Sequence, residues 1–254
     1  MATGAILVES RISHVMLVTL RNPPVNALTT AMYRELAEVF RAAGSGDERC
    51  VVLYAEGQRA FCAGGDKNEV VDLSPTTALA RARMVRECFA AVRDCDLPVL
   101  AAVGGPALGA GATLAASADI VVASDNAVFG LPEIDVGVMG GSKHMSRLVP
   151  ATVLRWMALS RERIPAAEVA RYGGVVRVTS RESLLDESIA MASQIARKGP
   201  QAVRLMKEVL NLTEDRDLAS GLHVEQLGTA IMSALPESKE AAAATRQHRR
   251  PDFS

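Results

Sequence analysis

Two glycine-rich loops hold the residue types best suited to chemistry in this chain. Arg59-Ala60-Phe61-Cys62-Ala63-Gly64-Gly65-Asp66 follows an apolar run at 51–55, and Pro106-Ala107-Leu108-Gly109-Ala110-Gly111-Ala112 follows another at 99–103. Each apolar run reads as a buried strand. Glycines placed straight after a strand let the backbone turn tightly and leave main-chain N–H groups open to a ligand. Two such loops can offer one amide each to the same oxygen, which is what an oxyanion hole requires. Taken singly, either loop also fits a plain tight turn that packs a helix on a strand, and Asp66 alone reads as an Asx-turn residue.

The elements around these loops alternate. Residues 15–20 read as a strand. Thr30 can cap a helix whose apolar positions Met32, Leu36, Val39, Phe40 and Ala43 recur at helical spacing, with Gly44 able to end it. A strand at 50–55, a helix near 76–93, a strand at 99–103, a small-residue helix near 110–118 and a strand at 120–123 follow. Strands alternating with helices imply crossovers and a largely parallel sheet, an α/β architecture. From Pro150 onward the pattern is mostly helical, broken by a strand expected at 175–178. Ser180 or Ser183 starts the next helix, and Pro200 occupies the first turn of another.

Composition narrows the function classes. The 254 residues are 49% hydrophobic, enough for one sizeable core, and with a net charge of −1 nothing suggests nucleic acid or an anionic membrane as partner. No run of about 18 apolar residues exists, which argues against a transmembrane helix. The opening MATGAILVES lacks a basic segment followed by a long apolar run, so a secretory leader is not expected. Cys50, Cys62, Cys88 and Cys95 show neither CxxC nor Cys/His ligand spacing, so no metal site is expected. Buried free thiols and a cytoplasmic location fit this pattern.

Five segments taken in order resemble one family. FCAGGD at 61–66, GPALGAGATL at 105–114, ADIVVAS at 118–124 and FGLPEIDVG at 129–137 are similar in order and spacing to the enoyl-CoA hydratase/isomerase (crotonase) superfamily. Leu20-Arg21-Asn22-Pro23-Pro24-Val25-Asn26-Ala27-Leu28 resembles that family's first CoA-contacting loop, and the segment from Ser238 to Phe253 resembles its C-terminal helix and tail. The resemblance covers essentially the whole chain. It implies a crotonase-like ββα spiral core over 1–195 and a helical trimerisation region over 196–254. The expected assembly is a homotrimer or a hexamer built as a dimer of trimers.

The resemblance also implies roles. The substrate is an acyl-CoA thioester, with no cofactor beyond its CoA moiety. The backbone amides of Gly65 and Ala110 form the oxyanion hole for an enolate, and Glu133 is the general acid/base. Val25, Ala63, Asp66, Lys67 and Gly141 map to substrate or CoA contacts. Thr113 departs from the hydratase pattern, which places a second glutamate there. A threonine can hydrogen-bond a water but cannot accept its proton near neutral pH. Hydration through two carboxylates is therefore in doubt, whereas one carboxylate suffices to move a proton from C2 to C4 of an enoyl group. Decarboxylation, hydrolysis by other side chains, and acyl-CoA binding without turnover stay open. Lys143 and His144 stand where the family has small residues, so His144 is a possible pocket residue. Further pocket lining is expected from helix 76–93 and the C-terminal helices. The basic run Arg246–Arg250 reads either as a contact to CoA phosphates or as a solvated helix end.

Overall fold

The computed structural model describes residues 5–69 and 74–253. The leader reading of the first four residues lies outside that range. β1 (Ile6–Arg11) and β2 (Val15–Leu20) form an antiparallel hairpin, and from there the chain alternates. α1 (Thr30–Ala42), β3 (Cys50–Ala55), α2 (Pro75–Arg93), β4 (Val99–Val103), β5 (Ala107–Leu108), α3 (Ala110–Ser117), β6 (Ile120–Ser124) and β7 (Val128–Gly130) complete the first half. α4 (Ser142–Met145), α5 (Ala151–Ser160), β8 (Arg163–Pro165), α6 (Ala166–Arg171), β9 (Arg177–Thr179) and α7 (Leu184–Ala196) follow. α8 (Pro200–Thr213), α9 (Leu218–Ala234) and α10 (Pro236–Arg246) finish the chain.

The main sheet has the order β1-β2-β3-β4-β6-β9, parallel throughout except for the first pair. Its inner strands are apolar at nearly every position because both faces are covered, as crossovers in parallel sheets demand. Period-2 alternation divides their side chains. Val18, Leu20, Val51, Leu53, Val99 and Ala101 belong to the large core shared with α1, α2 and α3. Leu17, Val52, Leu100 and Val122 point the other way and pack with Leu184, Ala192 and Ala196 of α7. A second, small sheet joins β5, β7 and β8.

Local chemistry shifts some expected boundaries. Thr29, not Thr30, caps α1: its hydroxyl accepts from the Met32 amide at 3.2 Å. Thr30 instead donates both its amide and its hydroxyl to Glu69, at 2.6 and 2.7 Å. Ser74 caps α2 one residue ahead of its first-turn Pro75. Ser183 takes the N-cap position of α7, and Pro200 opens α8 as expected. The strand expected at 175–178 starts two residues later and ends one later, at β9, because its ladder runs from Val122↔Arg177 to Ser124↔Thr179. β1, β5, β7 and β8 carry too few residues or too mixed a pattern to be read from sequence. All four cysteines are free and buried.

Among the described residues no helix is long and apolar enough to cross a membrane. α8, α9 and α10 pack on one another and leave Met206, Leu210, Leu218, Leu222 and Ile231 exposed. The tail folds back: the Arg49 guanidinium donates to the Phe253 carbonyl at 3.0 Å.

Candidate active site

The two glycine loops meet through backbone alone. The Cys62 amide donates to the Pro106 carbonyl at 3.2 Å and the Leu108 amide to the Cys62 carbonyl at 2.9 Å, a short parallel bridge between them. Gly111 rests directly against the Cys62 carbonyl, where a side-chain carbon has no room. On its other side, the first loop bridges Leu28. The Leu28 amide donates to Gly64, and the Asp66 amide donates to Leu28. In a parallel bridge the flanking residues do the pairing, so the N–H of Gly65 faces away from Leu28. It makes no hydrogen bond among the described residues and lines a cavity of about 810 Å³.

The Ala110 amide is the second free donor. Gly109 adopts φ 56°, ψ −119°, a conformation open to glycine and strained for other residues. Its amide is spent on the Gly130 carbonyl and its carbonyl accepts from the Thr113 amide. Ala110 then opens α3, where first-turn amides have no helical partner and the helix dipole favours negative charge. Ala110 lines the same cavity, and its amide makes no hydrogen bond among the described residues. The ideal Cβ position of Gly64 lies 3.9 Å from the Ala110 nitrogen, so the two loops sit in immediate contact.

Glu133 sits in a short 3-10 turn, Pro132–Val136, that follows β7 directly. Its carboxylate packs against two glycines: a Cβ on Gly109 would stand 2.8 Å from Oε1, and Gly140 is in direct contact with the same oxygen. Oε2 is buried and has no hydrogen-bond partner among the described residues. Burial raises the carboxyl above its ordinary range, with only its own backbone amide acting against that. A carboxylate raised in this way, beside two free amides, can carry a proton to and from a ligand whose oxygen the amides hold.

Thr113 is only 1% exposed, and its hydroxyl donates to the Gly109 carbonyl at 3.1 Å. Gly141 packs tightly against that hydroxyl. His144, in α4, lines the cavity with its ring edge-on to Phe89, centroids 5.8 Å apart. Burial first, and then the nearby Arg147 and Arg93 charges, lower it below the usual histidine range, so the ring is neutral at pH 7. Lys143 pairs with Asp215 at 3.0 Å on the surface. Burial pushes the Cys62 thiol up to about 12, which leaves it protonated and inert despite its place between the loops.

The cavity brings together Gly65, Ala110, Thr113, Glu133, Gly141 and His144. Val25, Ala63, Asp66 and Lys67, expected to contact substrate or CoA, are not among the residues that line it. The Ala63 amide donates to the Val25 carbonyl at 3.0 Å, which ties the loop after β2 to the first glycine loop. Asp66 forms an Asx-turn with the Asn68 amide, and Lys67 is exposed at the start of a 3-10 turn. The cavity wall comes from α1 and α2, through Tyr33, Arg81, Val85, Arg86 and Phe89, and from Val138 and Met139. Among the described residues of one chain, none of the C-terminal helices lines it, contrary to the sequence expectation. In the basic tail, Arg249 is paired with Glu240. Helix 76–93 lines the cavity as expected, Arg81 included, whereas Tyr33 escaped sequence reasoning. Tyr33 sits in an apolar helical stripe that reads as core, and nothing local marks its hydroxyl end as facing a cavity.

The chain matches the family model described as enoyl-CoA hydratase/isomerase over residues 10–254. A Mycobacterium tuberculosis relative named (7aS)-7a-methyl-1,5-dioxo-2,3,5,6,7,7a-hexahydro-1H-indene-carboxyl-CoA hydrolase is 38% identical, covering 84% of this chain and 86% of its own. The Escherichia coli 2,3-dehydroadipyl-CoA hydratase is 34% identical over 97% of this chain and 98% of its own. The crystal structure of an enoyl-CoA hydratase from Mycobacterium smegmatis superposes with a TM-score of 0.93 at 30% identity, covering 98% and 99% of the two chains. The crotonase fold expected from the sequence is the fold observed.

Proposed function

Because the chain belongs to the enoyl-CoA hydratase/isomerase family, we propose that it acts on an acyl-CoA thioester through an enolate held by the Gly65 and Ala110 amides. Glu133 moves the proton. The observation that carries this reading is the unpaired, buried Oε2 of Glu133 in the same cavity as two unspent amides. The carboxylate takes a proton from C2, charge develops on the thioester oxygen, and the amides stabilise it. Each such donor is worth about 10²–10³ in rate. Returning the proton at C4 converts a 3-enoyl to a 2-enoyl thioester. Hydration runs over the same site if Glu133 alone activates the water.

Isomerisation is the better supported of the two. With Thr113 in place of a carboxylate, and its hydroxyl proton given to Gly109, the site offers one proton carrier rather than two. Incubation with crotonyl-CoA and, separately, with 3-hexenoyl-CoA tests this. Turnover of the second alone supports isomerisation, while efficient hydration of the first discards it. The chemistry calls for no metal and no cofactor beyond the CoA moiety of the substrate.

A second reading, hydrolysis of a ring or thioester bond, draws on the two relatives named as hydrolases, at 38% and 39% identity. Release of a ring-opened acid or of free CoA would favour it. Acyl-CoA binding unchanged by Glu133→Gln, with no thioester turned over, would mark a protein that binds and does not catalyse. The exposed apolar side chains of α8 and α9 support assembly as a homotrimer or hexamer, which sedimentation equilibrium measures directly.

A further inference from the structure

Two donors inside the cavity have no task in the proton transfer just described. Tyr33 is 2% exposed, yet its hydroxyl lines the cavity and makes no hydrogen bond among the described residues. Its ring is fixed edge-on to Phe89, centroids 6.1 Å apart, and lies beneath the Arg81 guanidinium at 5.7 Å. Arg81 uses Nη1 for the Thr30 hydroxyl, at 3.0 Å, and for the Glu69 carboxylate, at 3.3 Å. Its Nη2 makes no hydrogen bond among the described residues. Both free groups converge: the Tyr33 hydroxyl and Arg81 Nη2 each lie 3.4 Å from the ideal Cβ position of Gly65.

The Tyr33 hydroxyl is not among the fully buried unpaired atoms, so it opens on the cavity, where a bound ligand can take its hydrogen bond. Beside it, a guanidinium nitrogen can only donate. A paired phenol and guanidinium therefore select an acceptor oxygen and disfavour a purely hydrocarbon group, which would leave both donors dry and unpaired. Their position fixes where that oxygen sits. Hydrogen bonds of about 2.9 Å from groups this near to Gly65 end within a few ångströms of its amide. That amide holds the thioester oxygen in the reading above, on which this inference rests. Glu69 neutralises part of the Arg81 charge, so a ketone and a carboxylate both remain suitable acceptors.

We propose that Tyr33 and Arg81 form a second oxygen-recognition point beside Gly65, so that the acyl group carries a keto or carboxylate oxygen close to its thioester. The two residues determine specificity and do not move protons.

The test compares acetoacetyl-CoA, malonyl-CoA and butyryl-CoA by titration calorimetry, with each ester assayed for breakdown by chromatography afterwards. At least one oxygenated ester should bind about tenfold or more tightly than butyryl-CoA, the scale of one good hydrogen bond. A keto preference is carried by acetoacetyl-CoA and a carboxylate preference by malonyl-CoA. Turnover of an oxygenated ester without turnover of butyryl-CoA supports the proposal equally. Tyr33→Phe should erase most of the preference while leaving butyryl-CoA affinity within about twofold. Arg81→Gln should act likewise. Should the loss of its Thr30 and Glu69 contacts unfold that variant, Tyr33→Phe and the wild-type comparison still decide. Equal binding of all three esters by wild type, or equal weakening of all three by Tyr33→Phe, overturns the inference alone. Failure of every ester to bind overturns the acyl-CoA reading beneath it.

Discussion

Gly111 and the carbonyl of Cys62 are in direct contact, with no space between them for a side-chain carbon. This contact sets the separation of the two glycine loops, and through it the relative position of the Gly65 and Ala110 amides. Gly111→Ala must therefore push α3 away from the first loop. Overpacking of this kind costs about 1–3 kcal/mol of stability. If both amides hold one oxygen, kcat should also fall by about 10²–10³, the effect of losing one donor. Denaturant melts and single-turnover rates check the two parts. An unchanged kcat in a destabilised protein would separate the loop contact from the chemistry.

Glu133→Gln keeps the shape of the side chain and removes its capacity to exchange a proton. Turnover should drop by about 10²–10⁴ while acyl-CoA affinity changes little. The wild-type profile of kcat/KM against pH should rise with an apparent pKa above 4.5, the ordinary value for this group, because the carboxyl is raised by burial.

Stability should respond to the same residue with the opposite sign. The folded state holds the Glu133 proton more tightly than the unfolded state does. Its favourable contribution is complete below the ordinary glutamate pKa and disappears as pH climbs through the raised one. Above the raised pKa the wild-type fold thus bears a buried, unpaired charge that Glu133→Gln lacks. The variant should melt higher there, and the difference should vanish near about pH 4. A variant that melts lower in both pH ranges would show that the carboxylate is stabilised by contacts rather than strained by burial.

Thr113→Val tests whether the hydroxyl orders water. Among the described residues its hydroxyl donates only to the carbonyl of Gly109, the N-cap of its own helix, so the cost in stability should be about 1 kcal/mol. Isomerisation of 3-hexenoyl-CoA should survive within about tenfold, since no proton passes through this residue. A loss confined to hydration of crotonyl-CoA would instead assign the hydroxyl to an attacking water.

His144→Gln should leave turnover within about tenfold. The ring is already neutral near pH 7, and its contact is the edge of Phe89 rather than Glu133. A larger loss, accompanied by disappearance of a titration below the usual histidine range, would make His144 a proton carrier.

The backbone half of this site was legible from sequence, and the side-chain half was only partly so. Gly64, Gly65, Gly109 and Gly111 announce themselves because strand-then-glycine is a local pattern with a local cause. Glu133 needed the family resemblance, since a lone glutamate after a proline reads equally well as surface. Arg81 lies on a helix expected to line the pocket, but Tyr33 was hidden for a different reason. Helical periodicity reports which face of α1 is apolar, but a tyrosine on that face has one polar atom whose surroundings depend on α2 and on Gly65, far away in sequence. The shift of β9 has the same origin: its ends are set by pairing with β6, while its own residues are mixed. Capping failed by one position at Thr30 because the competing partner, Glu69, lies 39 residues further on.

Glu69 also links two walls of the cavity. Its Oε2 accepts from the first turn of α1 and from Arg81 on α2, so the helices that present Tyr33 and Arg81 are latched together at their cavity ends. A chamber latched on that side cannot widen there for a bulkier guest. Adjustment to girth falls instead to the Val138–Gly141 stretch of the lining, where Met139 stands almost fully in solvent. Selectivity for polarity and tolerance for size thus reside in separate parts of the molecule, and each can be altered by mutation without disturbing the other.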